Sequence, residues 1–170
     1  MSIVLIEDEH LKLRRAEPED VDYILALQAD PENAPFIIAF DREFHRAIIE
    51  GEKPSKLSMI VEDKGGERCG YFLIEQADAL SIAMWHMIIG RGHKGQGMGH
   101  RALRLLKRWV FEVLKWHRLW IDCKDFNWRA IHLYSSEGFR QEALFREAIL
   151  VDGEYQNLII FAMLRREYEP

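Results

Sequence analysis

The stretch KGQGMGHRALRLLKRWVFEVL, Lys94–Leu114, decides the fold. Its first part places glycines at 95, 97 and 99, after which Leu103, Leu106, Trp109, Val110, Val113 and Leu114 recur at helical spacing, with Arg101, Arg104, Lys107 and Arg108 mostly on the other side. A glycine-rich loop therefore opens an amphipathic helix. Glycines let several backbone N–H groups converge on one point, and the unpaired N–H groups and positive dipole end of the helix add to it. Such a point suits a phosphate, with Lys94, His100 and Arg101 supplying charge at its rim. An ordinary tight turn between strand and helix uses the same glycines, so the surroundings of the loop decide its meaning.

Upstream, Leu80 to Ile89 is an apolar run whose regular alternation would put Leu80, Ile82, Met84, His86 and Ile88 on one face. Before it, Lys56 to Asp63 and Arg68 to Gln76 read as a hairpin turned at Lys64-Gly65-Gly66. The chain starts with a short strand, Leu11 to Arg15. Two helices follow, one entered at Glu17-Pro18 and carrying Val21, Ile24, Leu25 and Leu27, the other running from Asp41 to Gly51. Downstream of the long helix come a buried strand at Arg118 to Cys123, a short helix from Asn127 to Glu137 stopped by Gly138, and a closing hairpin of Phe139 to Val151 with Tyr155 to Arg165, turned at Asp152-Gly153. The expected class is α/β (α+β), one domain over residues 1–170.

Several function classes are disfavoured. A nucleotide-hydrolysing P-loop needs Gly-Lys-Ser/Thr where this chain has Gly99-His100-Arg101. A dinucleotide-binding fold wants its glycine turn after the first strand, whereas four strands precede this one. With 23 Lys+Arg against 28 Asp+Glu the net charge is -5, which argues against nucleic acid as a partner. The charge is uneven: residues 1–90 carry 9 basic and 18 acidic side chains, residues 91–170 carry 14 and 10. That suits a polyanionic cofactor held by the second half. No apolar run approaches the roughly 18 residues of a membrane span, and Met1 to His10 is acidic rather than a basic leader. Cys69 and Cys123 lack metal-ligand or disulfide spacing, so the sequence predicts a cytoplasmic protein with no membrane contact and no metal.

The run Asn127-Trp-Arg-Ala130-Ile-His-Leu-Tyr134-Ser-Ser-Glu-Gly138-Phe139 has a helix N-cap and then positions at +3 and +7 on one face, so Asn127, Ala130 and Tyr134 point the same way. On this run, matched at every fixed position of N-x-x-A-x-x-x-Y-x-x-x-G-F, and on Lys94 to Gly99, matched to R/Q-x-x-G-x-G/A, the sequence resembles the GNAT superfamily of N-acetyltransferases. Within it, the similarity is to the branch of ribosomal-protein alanine acetyltransferases and spermidine acetyltransferases. The resemblance implies a mixed, mostly antiparallel sheet of about seven strands flanked by about four helices, with acetyl-CoA as cosubstrate. It implies that Met87, Ile88 and Ile89 pair with the pantetheine arm, that Lys94, Gly95, Gln96, Gly97, Met98, Gly99 and His100 hold the pyrophosphate, that Asn127 and Ala130 bind the cofactor, and that Tyr134 protonates the departing thiolate. Two departures stand out. Lys94 replaces the usual Arg or Gln, and Ala83, Met84 and Trp85 stand where relatives often place a strand carboxylate.

Transfer to an amine needs a base, because an alkyl amine with a pKa of about 10 is mostly protonated at neutral pH. His86 is the first candidate by position, with Glu75 and Asp122 behind it; Cys123 as an acyl-carrying nucleophile is the weakest reading, since a strand cysteine without a basic neighbour usually packs. Trp85, Trp109, Trp116, Trp120 and Trp128 are candidates for an aromatic acceptor pocket, for core, or for the interface of a homo-oligomer. The expected function is acetyl transfer by direct attack to a primary amine of a small cationic acceptor. Its rivals are a protein N-terminus as acceptor and a silent acyl-CoA-binding sensor.

Overall fold

The computed structural model describes residues 2–78 and 80–170. In chain order they form β1 (Val4–Glu7), β2 (Leu11–Arg15), α1 (Val21–Ala29), α2 (Arg42–Ile49), β3 (Lys56–Asp63), β4 (Arg68–Asp78), β5 (Ser81–Ile89), α3 (Met98–Arg108), β6 (Arg118–Lys124), α4 (Trp128–Ser136), β7 (Arg140–Val151) and β8 (Glu154–Leu164). Local chemistry explains the boundaries. The Asp41 side chain accepts from Phe44 N at 2.8 Å and caps α2, and Asp152 and Gly153, both at positive φ, turn the closing hairpin. The eight strands make one sheet, ordered β1-β2-β3-β4-β5-β6-β8-β7, antiparallel except where β5 meets β6.

The count expected from the sequence was about seven strands, and β1 is the addition. Its signal is weak because Val4 is exposed and only Ile6 is buried, as befits an edge strand. Asp8 makes the connection: its side chain accepts from the backbone N–H of His10 and of Leu11, each at 2.8 Å, and turns the chain into β2.

Helices cover both faces. On one, Leu103, Leu106, Val110 and Phe111 from α3 and its continuation, with Tyr134 from α4, pack against Met59, Phe72, Met84 and Ile121. On the other, Ile24 and Leu27 of α1 and Ile48 of α2 pack against Ile60, Tyr71, Leu73 and Ile88. Each such side chain, fully buried, contributes about 1.5–3 kcal/mol. After Arg108 the helix widens into a π turn, Trp109–Val113, with Leu114 N donating to Trp109 O at 2.9 Å. The leucine face thus reaches the expected end of the helix by a looser winding.

Much of the acidic charge of the first half is spent internally. Arg14 is buried and bonded to Asp20 (2.6 Å) and Glu62, with Lys12 reaching Glu62 at 2.6 Å. Arg91 holds Asp30 at 2.9 Å.

Candidate active site

Strands β5 and β6 pair only from Ser81↔Arg118 to Met84↔Ile121. At the next residue the β4–β5 register slips, since Leu73 faces His86 but Ile74 faces Met84, leaving Trp85 as a bulge. A bulge bends its strand and raises its twist, so β5 swings away from β6 just where pairing stops. The two strands then splay apart. The bulge also inverts the alternation expected of this run: Ile82 and Met84 pack with the α3 core, whereas Ile88 packs with the α1–α2 core and Met87 and Ile89 take the α3 side. Leu80, expected on the same face, is an exposed turn residue at positive φ.

The splay opens into two cavities. One, of about 670 Å3, is lined by the end of β5, the glycine loop and the first turns of α3 and α4. Every cofactor candidate named from the sequence except Gln96 and Arg101 lines it; the Gln96 amide donates instead to Gly92 O at 3.2 Å. Gly95 and Gly97 have φ of +76° and +72°, and a Cβ at either would meet nothing within 4 Å. Backbone conformation rather than space therefore demands glycine there. Gly97 caps α3 without any side-chain bond, and the first helical bond runs from Arg101 N to Gly97 O at 3.1 Å. The N–H groups of Met98, Gly99 and His100 are left without intrahelical acceptors, a ready anion site. Beyond Met84 the β6-facing edge of β5 has no strand partner, so its backbone groups are free for an extended ligand arm. Lys94 is less free than expected, since its ammonium meets Glu32 at 3.1 Å and Asn33 Oδ1 at 2.7 Å across the rim.

The second cavity, of about 250 Å3, lies on the other side of the splay and shares Phe36, Ile37, Met87, Asn127 and Tyr134 with the first. Asn127 spends its side-chain oxygen capping α4 at Ala130 N (3.2 Å), which leaves its NH2 for the cavities. Tyr134 is 5% exposed, and burial holds its phenol well above the usual tyrosine range, so it stays protonated at neutral pH.

His86 lines the second cavity but is fully engaged. Its Nε2 lies 2.9 Å from Ile38 O, an acceptor only, so Nε2 carries the hydrogen and Nδ1 accepts from the Tyr71 hydroxyl. Burial pushes its pKa down to about 4. Glu75 is bound to Lys56 at 2.6 Å and held below the usual carboxylate range despite its burial. Asp122, on β6 one residue past the last β5–β6 pair, is exposed and lines the second cavity with no ion pair or hydrogen bond among the described residues. Loss of hydration between the cavity walls pushes its carboxyl up. The carboxylate absent from β5 is thus offered across the splay by β6. Cys123 is buried and its thiol is pushed up to about 12, the opposite of an activated nucleophile. Of the tryptophans, Trp85 and Trp120 line the second cavity, Trp109 and Trp116 pack in the α3 core, and Trp128 is exposed.

Two features escaped the sequence reading. Lys124 is buried with its ammonium 2.7 Å from Pro35 O, tying β6 to the segment that roofs both cavities. Glu137, one residue past α4, receives His100 at 2.7 Å, Arg104 at 2.8 Å and Lys107 at 3.0 Å, and so fastens the cofactor helix to the Tyr134 helix. Burial alone would raise its pKa, but these donors hold it below the usual range.

A family model described as an acetyltransferase (GNAT) domain matches residues 10–140. The chain belongs to the GNAT acetyltransferase family. It is an acetyl-CoA-dependent N-acetyltransferase, and the groove just described fits the nucleotide-bearing cosubstrate of that family. The chain is 28% identical to spermidine N(1)-acetyltransferase of Escherichia coli K12 over 93% of its own length and 88% of the relative's. Its fold matches that of spermidine N-acetyltransferase from Vibrio cholerae, solved in complex with CoA and spermine, with a TM-score of 0.82 at 21% identity over 94% of this chain and 98% of that one. The same Vibrio protein, solved in a dodecameric form, matches with a TM-score of 0.80 at 21% identity, covering 95% and 97% of the two chains. Among the described residues, no helix of this GNAT protein is long and apolar enough to cross a membrane.

Proposed function

We propose that this GNAT protein acetylates the primary amine of a small cationic acceptor by direct attack in a ternary complex, with Asp122 as base and Tyr134 as acid. The observation that carries the reading is the meeting of the two cavities at Met87, Asn127 and Tyr134, which brings a cofactor groove and an acceptor cavity to one point. Holding two reactants there removes much of the entropic barrier. Acetyl-CoA supplies the activated acyl group. The groove holds its pyrophosphate on the N–H groups of Met98, Gly99 and His100 and its extended arm along Met87 to Ile89. Asp122 takes a proton from the acceptor ammonium, backbone N–H groups near Met87 stabilise the developing oxyanion, and Tyr134 gives its proton to the departing sulfur. His86, with both nitrogens engaged, positions the roof at Ile38.

Thiol release measured over a panel of amines and N-terminal peptides tests the reaction. Tyr134→Phe is expected to lower kcat by about 10²-fold while leaving CoA affinity near the parent value. Tight CoA binding with no turnover of any acceptor would instead favour the silent sensor.

We place the protein in the cytoplasm, which suits its free buried cysteines Cys69 and Cys123. We also propose self-association, resting on the exposed sheet edge β7, which carries Leu144, Phe145 and Leu150 opposite Tyr155 of β8, and on the relative solved as a dodecamer. Light scattering of the purified protein should give a mass above that of the single chain; Phe145→Glu should lower it.

A further inference from the structure

Around the second cavity, charge is scarce and aromatic surface is plentiful. Asp122 is the one carboxylate among the described residues that line it, and the lining cation is Lys124, buried and bonded to Pro35 O. Glu75, on β4 beside the Trp85 strand, is already paired with Lys56, whose ammonium also sits 4.4 Å from the centre of the Trp85 ring. Of the acidic side chains of the first half, Asp20 and Glu62 are buried against Arg14, Asp30 and Glu32 face Arg91 and Lys94, and none of the others lines the cavity among the described residues. The walls are instead Phe36, Phe40, Trp85 and Trp120, with Phe40 and Trp85 ring centres 6.0 Å apart.

From this arrangement, and resting on the reaction proposed above, we infer that the acceptor is a monoamine on an apolar or aromatic body, an arylalkylamine in chemical class, rather than a polyamine. One ammonium faces Asp122, and the rest of the molecule covers the aromatic walls. A polyamine would bring further ammonium groups into the cavity, each losing hydration with no carboxylate to face it. Size agrees with this. At about 250 Å3 the cavity is smaller than the roughly 300–1,000 Å3 common for drug-sized ligands, and it suits one small aromatic system with a short arm.

The test is kcat/KM at saturating acetyl-CoA for phenethylamine, tryptamine, spermidine and an alanine-started hexapeptide, with tryptophan fluorescence reporting phenethylamine binding to the CoA complex. Phenethylamine and tryptamine should exceed spermidine by about tenfold or more, the factor that one modest contact difference of about 1.4 kcal/mol supplies. Trp85→Glu, which adds a carboxylate at the wall, should narrow or reverse that ratio without abolishing turnover of spermidine. Spermidine or the hexapeptide as the best substrate overturns the inference and leaves the transferase reaction standing. Turnover of no amine, with CoA still bound, overturns the reaction itself; phenethylamine quenching the CoA complex in that case would still support the monoamine cavity, and no quenching would defeat it too.

Discussion

Asp122→Asn should lower kcat/KM by about 10²–10³-fold and leave CoA affinity unchanged. The substitution keeps the shape of the side chain and removes only its ability to take a proton, and Asp122 does not line the cofactor groove. The pH profile separates this from a loss of fit. Because the cavity walls take water from the Asp122 carboxyl and push it up, the acid limb of kcat/KM should lie above the ordinary aspartate value of about 3.9 and should vanish in the variant. Stability should change little. A carboxyl whose pKa is raised on folding favours the folded state fully below its unfolded pKa, and that advantage is lost as pH rises through the folded pKa. Asp122 is exposed, so water screens most of this effect, and Tm of the variant should stay close to the parent's at neutral pH and below about pH 3.9 alike. Near-parental kcat/KM with an unchanged acid limb would remove Asp122 from the chemistry.

The place of Asp122 marks the limit of what periodicity and motif reveal. The glycine loop and the Asn127 helix were legible because their signals are local: positive φ at Gly95 and Gly97, an N-cap, and a face repeated at helical spacing. The cavity they serve was not, because it depends on one bulge. Trp85 reads as an ordinary strand residue, and nothing in Ser81 to Ile89 says that the alternation inverts there, so His86 looks aligned with Met84 while it packs on the opposite face. The consequence reaches the chemistry. His86 drew the base role from its place in the strand, whereas its two hydrogen bonds, to Tyr71 and Ile38, depend on partners 15 and 48 residues away. The carboxylate proposed as base stands on β6, and nothing in the β5 pattern points to it. Lys94 and the acidic first half show the same limit for charge, since Lys94 meets Glu32 and Asp20 meets Arg14 in ion pairs that a count along the chain does not resolve.

Glu137→Gln should produce the largest loss of stability, about 3–5 kcal/mol, because removing one partner of a buried ion cluster leaves the others uncompensated. Lys107 bears most of this, being buried with the Glu137 carboxylate and backbone oxygen, at 3.0 and 2.8 Å, as its acceptors among the described residues. Arg104 is largely exposed and can turn to water. For a chain of this size each kcal/mol shifts Tm by about 2–4 °C, so a fall on the order of 10 °C is expected. The pH dependence fixes the cause. With its folded pKa depressed, Glu137 stabilises the fold above its unfolded pKa of about 4.3, and that contribution fades as pH falls through the lower folded value. The parent and variant unfolding curves should therefore converge in acid. Glu137→Leu combined with Lys107→Met, which replaces the charges by apolar bulk, should recover most of the stability. The same double variant should still lose CoA affinity, because His100 at the mouth of the phosphate site then has no carboxylate to hold it. A Glu137→Gln variant that unfolds like the parent at neutral pH would show that packing between α3 and α4, and not this cluster, sets the distance between the phosphate site and Tyr134.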